Sequence, residues 1–259
     1  MSFEIDLAGR TALVTGAGQH IGRAIACALA RAGAKVVVND IVAERANSVV
    51  KEIEEAGGQG LAALFDVTDP QGVHSSIDSL APDILVNNVG NTGAGNPPGQ
   101  ATFDTSHFVK SDPASWDALF GVNLFGVMHC TRAALPAMIE RSWGRVITII
   151  SDAARVPERG MAAYAAAKAG AAGFSRALAS EVGRSGVTVN CVSLGTIQSE
   201  HVQPGRNDER YRKILKPYLV PRLGQPSDPA SLVVFLASGY ADWITGQTYP
   251  VNGGYSPSL

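Results

Sequence analysis

Short runs rich in Val and Ile alternate along this chain with longer segments of helix formers, and the first run opens directly into a glycine-rich turn. That alternation constrains the fold more than any other feature. The runs Thr11 to Thr15, Lys35 to Asn39, Ile84 to Asn87, Arg145 to Ser151, Thr188 to Val192 and Thr248 to Val251 are mostly continuous in their apolar character, as strands buried on both faces require. Gly60 to Phe65 is a weaker seventh candidate. Pro250 cannot donate to a ladder, which places the last strand at a sheet edge. Between these runs, Ile21 to Ala32, Ala43 to Ala56, Trp116 to Arg141, Met161 to Val182 and Ser227 to Ser238 carry spaced apolar residues, with a bend expected near Pro136. Asn91 to Pro113 and Ser199 to Gln225 are richer in Gly, Pro and polar groups and read as loops over a site.

The turn Thr15-Gly16-Ala17-Gly18-Gln19-His20-Ile21-Gly22 lies between a strand and a helix, the context of a dinucleotide turn. Glycine lets the backbone approach a pyrophosphate, and the N–H groups and dipole of the helix N-terminus attract its charge. His20 stands where a further glycine would be expected. It fits if its backbone stays ordinary and its ring points to solvent; a positive φ there would add strain. Asp40 ends the second strand and can accept hydrogen bonds from the adenosine ribose hydroxyls. The same carboxylate repels a 2′-phosphate, and neither Gln19 nor Ile41 offers a compensating charge, so NAD is expected over NADP. The alternation and this turn together read as α/β: a single-domain, Rossmann-like doubly wound parallel sheet with helices on both faces, spanning 1–259.

Ser151 closes an apolar run, and the helix-like segment after it contains Tyr164-Ala165-Ala166-Ala167-Lys168. Four residues apart on a helix, Tyr164 and Lys168 share a face. A free phenol with a pKa near 10 is a feeble base at neutral pH, and lowering it by about three units needs roughly 4 kcal/mol of differential stabilisation. One ammonium and a cationic nicotinamide ring are of that order.

Taken in order, the glycine turn, Asp66-Val67-Thr68, Asn87-Asn88-Val89-Gly90, Asn123, Ser151, Tyr164 and Lys168 resemble the classical short-chain dehydrogenase/reductase family over nearly the whole chain. The resemblance implies that Tyr164 is the general acid/base and that Ser151 hydrogen-bonds the substrate oxygen. It also implies that Lys168 lowers the Tyr164 pKa and binds the nicotinamide ribose, and that Asn123 holds a water in a proton relay. For the cofactor it implies contacts from Gly16, Gln19, His20, Ile21, Gly22, Asp40, Asp66, Val67, Asn88, Val89, Gly90, Tyr164 and Lys168. Gly195, Ile197 and Ser199 look like the stretch that carries the nicotinamide. Leu194 replaces the usual proline there, freeing φ and restoring an N–H, so that loop is expected to be more mobile. In Val251-Asn252-Gly253-Gly254, Asn252 stands where aspartate is more usual, a change read as structural.

The expected function is therefore NAD-dependent hydride transfer on a secondary alcohol or ketone, with a variable substrate loop at about 199–225. The basic stretch Arg206, Arg210, Arg212, Lys213 and Lys216 reads first as a solvated amphipathic helix; its alternative is contact with the phosphates of a CoA or carrier-protein thioester. The alternative for the whole chain is a weakly active or inactive nucleotide-binding subunit that stabilises a homologous partner.

Composition narrows the rest. A net charge of −2 provides no positive field for a nucleic-acid backbone. Only 17% of residues are charged, below the roughly 25% usual for soluble domains, which points to surface buried in a parallel sheet or between subunits. The family resemblance implies that the long helices Trp116 to Arg141 and Met161 to Val182 pack across subunits, their Ala-rich and Gly-rich faces permitting close approach, and a homotetramer is expected first and a dimer second. Cys27, Cys130 and Cys191 are isolated, and His74, His107, His129 and His201 lack ligand spacing, so no disulfide or metal site is expected. The start MSFEIDLAGR lacks a signal-peptide pattern and no apolar run reaches bilayer length, so a cytoplasmic protein without membrane contact is expected.

Overall fold

A computed structural model describes residues 4–91, 108–198 and 209–257. Seven parallel strands form one sheet in the order β3-β2-β1-β4-β5-β6-β7: β1 Thr11–Val14, β2 Lys35–Asn39, β3 Gln59–Ala63, β4 Ile84–Asn87, β5 Gly144–Ser151, β6 Val187–Leu194 and β7 Thr248–Val251. The winding reverses between β1 and β4, and a crevice opens beyond the carboxyl ends of such strands. Pro250 lies on β7, at the edge, where its missing donor is tolerated.

Strand side chains alternate between two covered faces. Ala12, Val14, Val36, Val38 and Val86 meet α1 (His20–Arg31), α2 (Ala43–Glu55) and α8 (Ser227–Ala237). Leu13, Val37, Leu85 and Val146 meet α3 (Pro70–Leu80), α5 (Gly126–Glu140) and α6 (Ala162–Val182) on the opposite face. Burial on both faces is why these strands read as continuous apolar runs. One helix, α3, escaped the periodicity reading. In α3 only Val73 and Ile77 are buried, and its clearest signal is Asp69, which accepts from Gln71 N–H at 3.1 Å, followed by Pro70 at the first helical position. Within the basic stretch, where a solvated amphipathic helix is expected, α7 spans Glu209–Leu215.

The expected single helix Trp116 to Arg141 is corrected. It consists of α4 (Ala114–Phe120), a π-helical turn at Gly121–Phe125, and α5. The helix continues through Pro136, and its departure from α geometry lies at the π turn instead. Its length and apolarity would also suit a membrane span. Here the apolar side chains Val127, Cys130, Ala134 and Met138 are buried against the sheet.

Candidate active site

The turn after β1 and the segment after β4 are stapled together. Asn88 Nδ2 donates to the Thr15 and Gly16 carbonyls at 2.9 and 3.1 Å, while Thr15 Oγ1 accepts from the N–H groups of Asn88 and Val89. Asn39, absent from the sequence reading, accepts from Gly16 N–H through Oδ1 and from Ala17 N–H through its carbonyl. Gly16 has φ +61°, and a Cβ on Gly22 would lie 2.2 Å from the Gly16 carbonyl oxygen, so close approach requires glycine at both places. His20 takes φ +47°, the strained alternative of the two left open.

These segments enclose a cleft of about 360 Å³ lined by Gly16, Gln19, His20, Ile21, Gly22, Asp40, Asp66, Val67, Asn88, Val89 and Gly90, together with Asn39, Ile41, Phe65, Asn91 and Val122. Every cofactor residue expected from the first half of the chain is there. Gln19 is extended and gives α1 no side-chain cap, and the first turn holds no acidic residue, so the helix N-terminus is open to an anion. Asp40 is largely buried; its Oδ1 accepts from Val42 N–H at 3.0 Å. A Cβ on Gly18 would sit 2.5 Å from Asp40 Oδ2 and 2.6 Å from Arg45 Cβ, so glycine keeps that rim open.

Ser151 ends β5 opposite Leu194, and its hydroxyl accepts from Ala153 N–H at 3.2 Å. The same hydroxyl acts on the Tyr164 phenol in the direction that lowers its pKa. Lys168 is buried at 3% exposure, donates to the Ile149 carbonyl at 3.1 Å, and holds its ammonium 6.0 Å from the centre of the Tyr164 ring. Burial lowers its pKa to about 8. Burial also pushes the Tyr164 phenol up to about 12, with Glu158 adding to the rise and Ser151 opposing it. The expected downward pull of Lys168 on Tyr164 therefore does not prevail in the chain alone.

Asn123 sits in the π turn, fully buried, and its Nδ2 donates to the carbonyls of Leu119 and Asn91 at 2.9 and 2.8 Å. Its Oδ1 has no partner. A Cβ on Gly90 would meet Lys168 Nζ at 2.8 Å and Asn123 Oδ1 at 3.0 Å. Gly90 thus joins the cleft wall to both groups.

Gly195 and Ile197 lie apart from that cleft, in a second hollow shared with Tyr218 and Asn252. Leu194 is the last residue of β6, paired with β5 and β7, so its restored N–H belongs to a strand end. Beyond it, Gly195 N–H donates to Val251, Thr196 N–H to the Tyr218 hydroxyl and Gln198 N–H to Gly224, which anchors the segment expected to be more mobile. Asn252 directs its amide at Asp152, which accounts for an amide at that position. Ser199, Arg206, His107 and His201 lie outside the described residues, as does the side chain of Arg210.

A glycine turn at the switch point of a parallel sheet, open to a helix N-terminus and adjoined by a Ser/Tyr/Lys cluster, defines a doubly wound oxidoreductase that uses a nicotinamide nucleotide. Residues 10–210 match the short chain dehydrogenase family. The chain is 36% identical over 258 residues to 7alpha-hydroxysteroid dehydrogenase of Escherichia coli, covering 98% of this chain and 96% of that one. It is 38% identical over 259 residues to a 3-oxoacyl-[acyl-carrier-protein] reductase of Salmonella typhimurium, covering 98% of each. Among solved structures it resembles gluconate 5-dehydrogenase of Burkholderia cenocepacia in complex with NADP and tartrate, with TM-score 0.88 and 31% identity over 99% of this chain and 98% of that one. It also resembles 7 alpha-hydroxysteroid dehydrogenase complexed with NADH and a 7-oxo bile acid, with TM-score 0.86 and 35% identity over 97% and 96% of the two chains. The chain belongs to the short-chain dehydrogenase family, and as a member it is an oxidoreductase acting on hydroxyl or oxo groups.

Proposed function

We propose that the chain is an NAD-dependent dehydrogenase/reductase of a secondary alcohol or ketone, built as one domain, with Asn123, Ser151, Tyr164 and Lys168 as its catalytic set. The observation that carries this is Gly90, which lines the nucleotide cleft and stands against Lys168 Nζ and Asn123 Oδ1, so these two buried groups lie directly behind the cleft wall. The glycine cradle, the uncapped helix N-terminus and the unpartnered Asn123 Oδ1 fit a dinucleotide with its attendant hydroxyls. When bound, the nicotinamide supplies the hydride donor or acceptor and, in its oxidised form, a positive charge.

In the oxidation direction Tyr164 removes the alcohol proton and Ser151 holds the developing carbonyl oxygen. Lys168 steadies the phenolate and binds the nicotinamide ribose, and Asn123 Oδ1 holds a water that relays the proton outward. Gly195, Ile197 and Ser199 carry the nicotinamide end, and Asp66 and Val67 the adenine. Asp40 would accept from the ribose hydroxyls and repel a 2′-phosphate, which favours NAD. The inactive-subunit alternative is disfavoured because the chain keeps Asn123, Ser151, Tyr164 and Lys168 together.

A 3-hydroxyacyl thioester is one substrate candidate, with residues 199–225 selecting it; Lys213 and Lys216 are exposed at the described end of the basic stretch. Exposed Phe125 in the π turn and exposed Met128 and Ile139 on α5 support a homo-oligomer, taken as a tetramer before a dimer, of a chain taken as cytoplasmic. The test is a fluorescence titration with NADH and NADPH, followed by reduction of acetoacetyl-CoA, a 7-oxo bile acid and a keto sugar acid. Tighter NADH binding and turnover of one ketone, lost in Tyr164→Phe with NADH binding intact, are expected; tighter NADPH binding overturns the cofactor assignment, and turnover by Tyr164→Phe overturns the catalytic one.

A further inference from the structure

The catalytic reading leaves one buried charge beside Ser151 without a role. Asp152 is 1% exposed, and four side chains hold its carboxylate. Oδ1 accepts from Ser193 Oγ at 2.6 Å and from Arg155 at 3.4 Å; Oδ2 accepts from Asn252 Nδ2 at 2.5 Å and from Ser256 Oγ at 2.6 Å. These partners come from separate parts of the chain. Ser193 is the penultimate residue of β6, immediately before Leu194-Gly195, and Asn252 and Ser256 belong to the turn that follows β7.

That turn also packs against the Gly195–Ile197 segment. A Cβ on Gly195 would lie 3.1 Å from Asn252 Cα, and Tyr218, which accepts from Thr196 N–H, has its ring 5.1 Å from that of Tyr255. Asn252 further accepts from Gly254 N–H at 3.0 Å, which fixes its amide with the NH2 group toward Asp152. A carboxylate at 252 would oppose Asp152 at hydrogen-bond distance, and the two could not both ionise. Asp152 and Asn252 form a matched acid–amide pair.

We propose that Asp152 is a positioning residue of the active site. Its carboxylate ties the turn carrying Ser151, the end of β6 that leads into Gly195–Ile197, and the C-terminal turn into one unit. Ser151 Oγ accepts from Ala153 N–H, so the turn that Asp152 anchors also orients the hydroxyl. The separation between the group that holds the substrate oxygen and the segment that carries the nicotinamide is set by this one side chain. Asp152 acts through Ser151 and β6, and the inference rests on the catalytic assignment of Ser151, Tyr164 and Lys168.

The test uses the full chain with Asp152→Asn and the exchanged pair Asp152→Asn/Asn252→Asp. In the single variant one side of the new amide faces donors with its own NH2 group. In the exchanged pair the amide and the carboxylate trade places, so the amide beside Ser151 donates to the carboxylate of the C-terminal turn, which still accepts from Gly254 N–H. Amide hydrogen exchange is read at Ala153, Gly195 and Thr196 in the free protein, and kcat, KM and NADH affinity are read with the ketone that the native chain reduces best. Asp152→Asn is expected to speed exchange at these amides at least tenfold and to lower kcat at least tenfold, with KM and NADH affinity within threefold. The exchanged pair is expected to return exchange and kcat to within threefold of native values. Native exchange or native kcat in Asp152→Asn overturns the proposal, as does an exchanged pair that regains its melting temperature without regaining exchange and kcat. Should Asp152→Asn fail to fold, Ser256→Ala removes a single donor: a kcat at least threefold lower at unchanged melting temperature supports the proposal, and native kcat overturns it. If Tyr164→Phe keeps its turnover, the catalytic assignment fails; if Tyr164→Phe is inactive while Asp152→Asn behaves as native, the positioning role alone fails.

Discussion

The Lys168 ammonium stands 6.0 Å from the centre of the Tyr164 ring, and burial moves both groups toward their neutral forms: the pKa of Lys168 falls to about 8 and that of Tyr164 rises to about 12. A buried ammonium whose hydrogen bond is to a backbone carbonyl is held at the expense of stability, for the benefit of chemistry that begins when the site is filled.

Lys168→Met is therefore expected to stabilise the fold at pH 7 while removing turnover. Between pH of about 8 and 10.5 the unfolded chain keeps the lysine proton that the folded chain has released, so the Lys168 contribution to stability rises with pH across that window, while the buried thiols of Cys27, Cys130 and Cys191, with their raised pKa values, act in the opposite direction above about pH 9. Below it the ammonium costs on the order of 3 kcal/mol, from which the lost hydrogen bond to Ile149 must be subtracted. Thermal melts from pH 7 to about 9.5 should show the variant melting higher at pH 7 and its margin over the native midpoint narrowing as the pH rises, the buried thiols being common to both. A variant that melts lower at pH 7 would contradict the argument.

His20→Gly is expected to tighten NADH binding a few-fold and to leave stability level or slightly raised. At φ +47° a histidine carries strain of about 1 kcal/mol that glycine does not, partly offset by glycine's greater freedom in the unfolded chain. His20→Val, β-branched in the same conformation, should weaken both binding and stability. Paired fluorescence titrations and melts check the order Gly, His, Val.

Much of this fold was legible in the sequence because a doubly wound sheet buries its strands on both faces. β2, β4 and β7 occur at the expected residues, and the others differ by a few positions at their ends. α3 was missed because so few of its side chains reach the core. The π turn was missed because it follows from packing: a Cβ on Gly126 would sit 2.8 Å from Val67 Cγ2, a contact between segments far apart in sequence. Tyr164 and Lys168 could be paired from helical spacing alone, whereas the positive φ of His20 and the grip of Asp152 on Asn252 depend on the folded backbone.

Asp40→Ala is expected to weaken NADH binding about tenfold and to strengthen NADPH binding. The carboxylate proposed to accept from the ribose hydroxyls is lost, as is the repulsion it would exert on a 2′-phosphate. Arg45, whose Cβ shares the Gly18 rim with Asp40, then becomes the nearest positive charge named at that rim. Double substitution of Asp40→Ala with Arg45→Ala should cancel the NADPH gain. Titration of both nucleotides against the three variants reads this directly, and an NADPH affinity indifferent to Arg45 would remove the arginine from the account.

Asn123→Ala separates the structural from the catalytic share of the π turn. Its Nδ2 donates to the Leu119 and Asn91 carbonyls, and alanine removes both of these hydrogen bonds, a loss of roughly 1–3 kcal/mol. For a chain of this size that lowers the melting midpoint on the order of 5 °C. Its Oδ1 faces the space beside Gly90 and Lys168, where the relay would run, so kcat should fall further than this loss of stability explains, with NADH affinity nearly unchanged. Asn123→Ser restores a small hydroxyl acceptor without the reach to cap both carbonyls. It is expected to melt like the alanine variant yet recover part of kcat; equal turnover in the two would mean that Asn123 serves the helix alone.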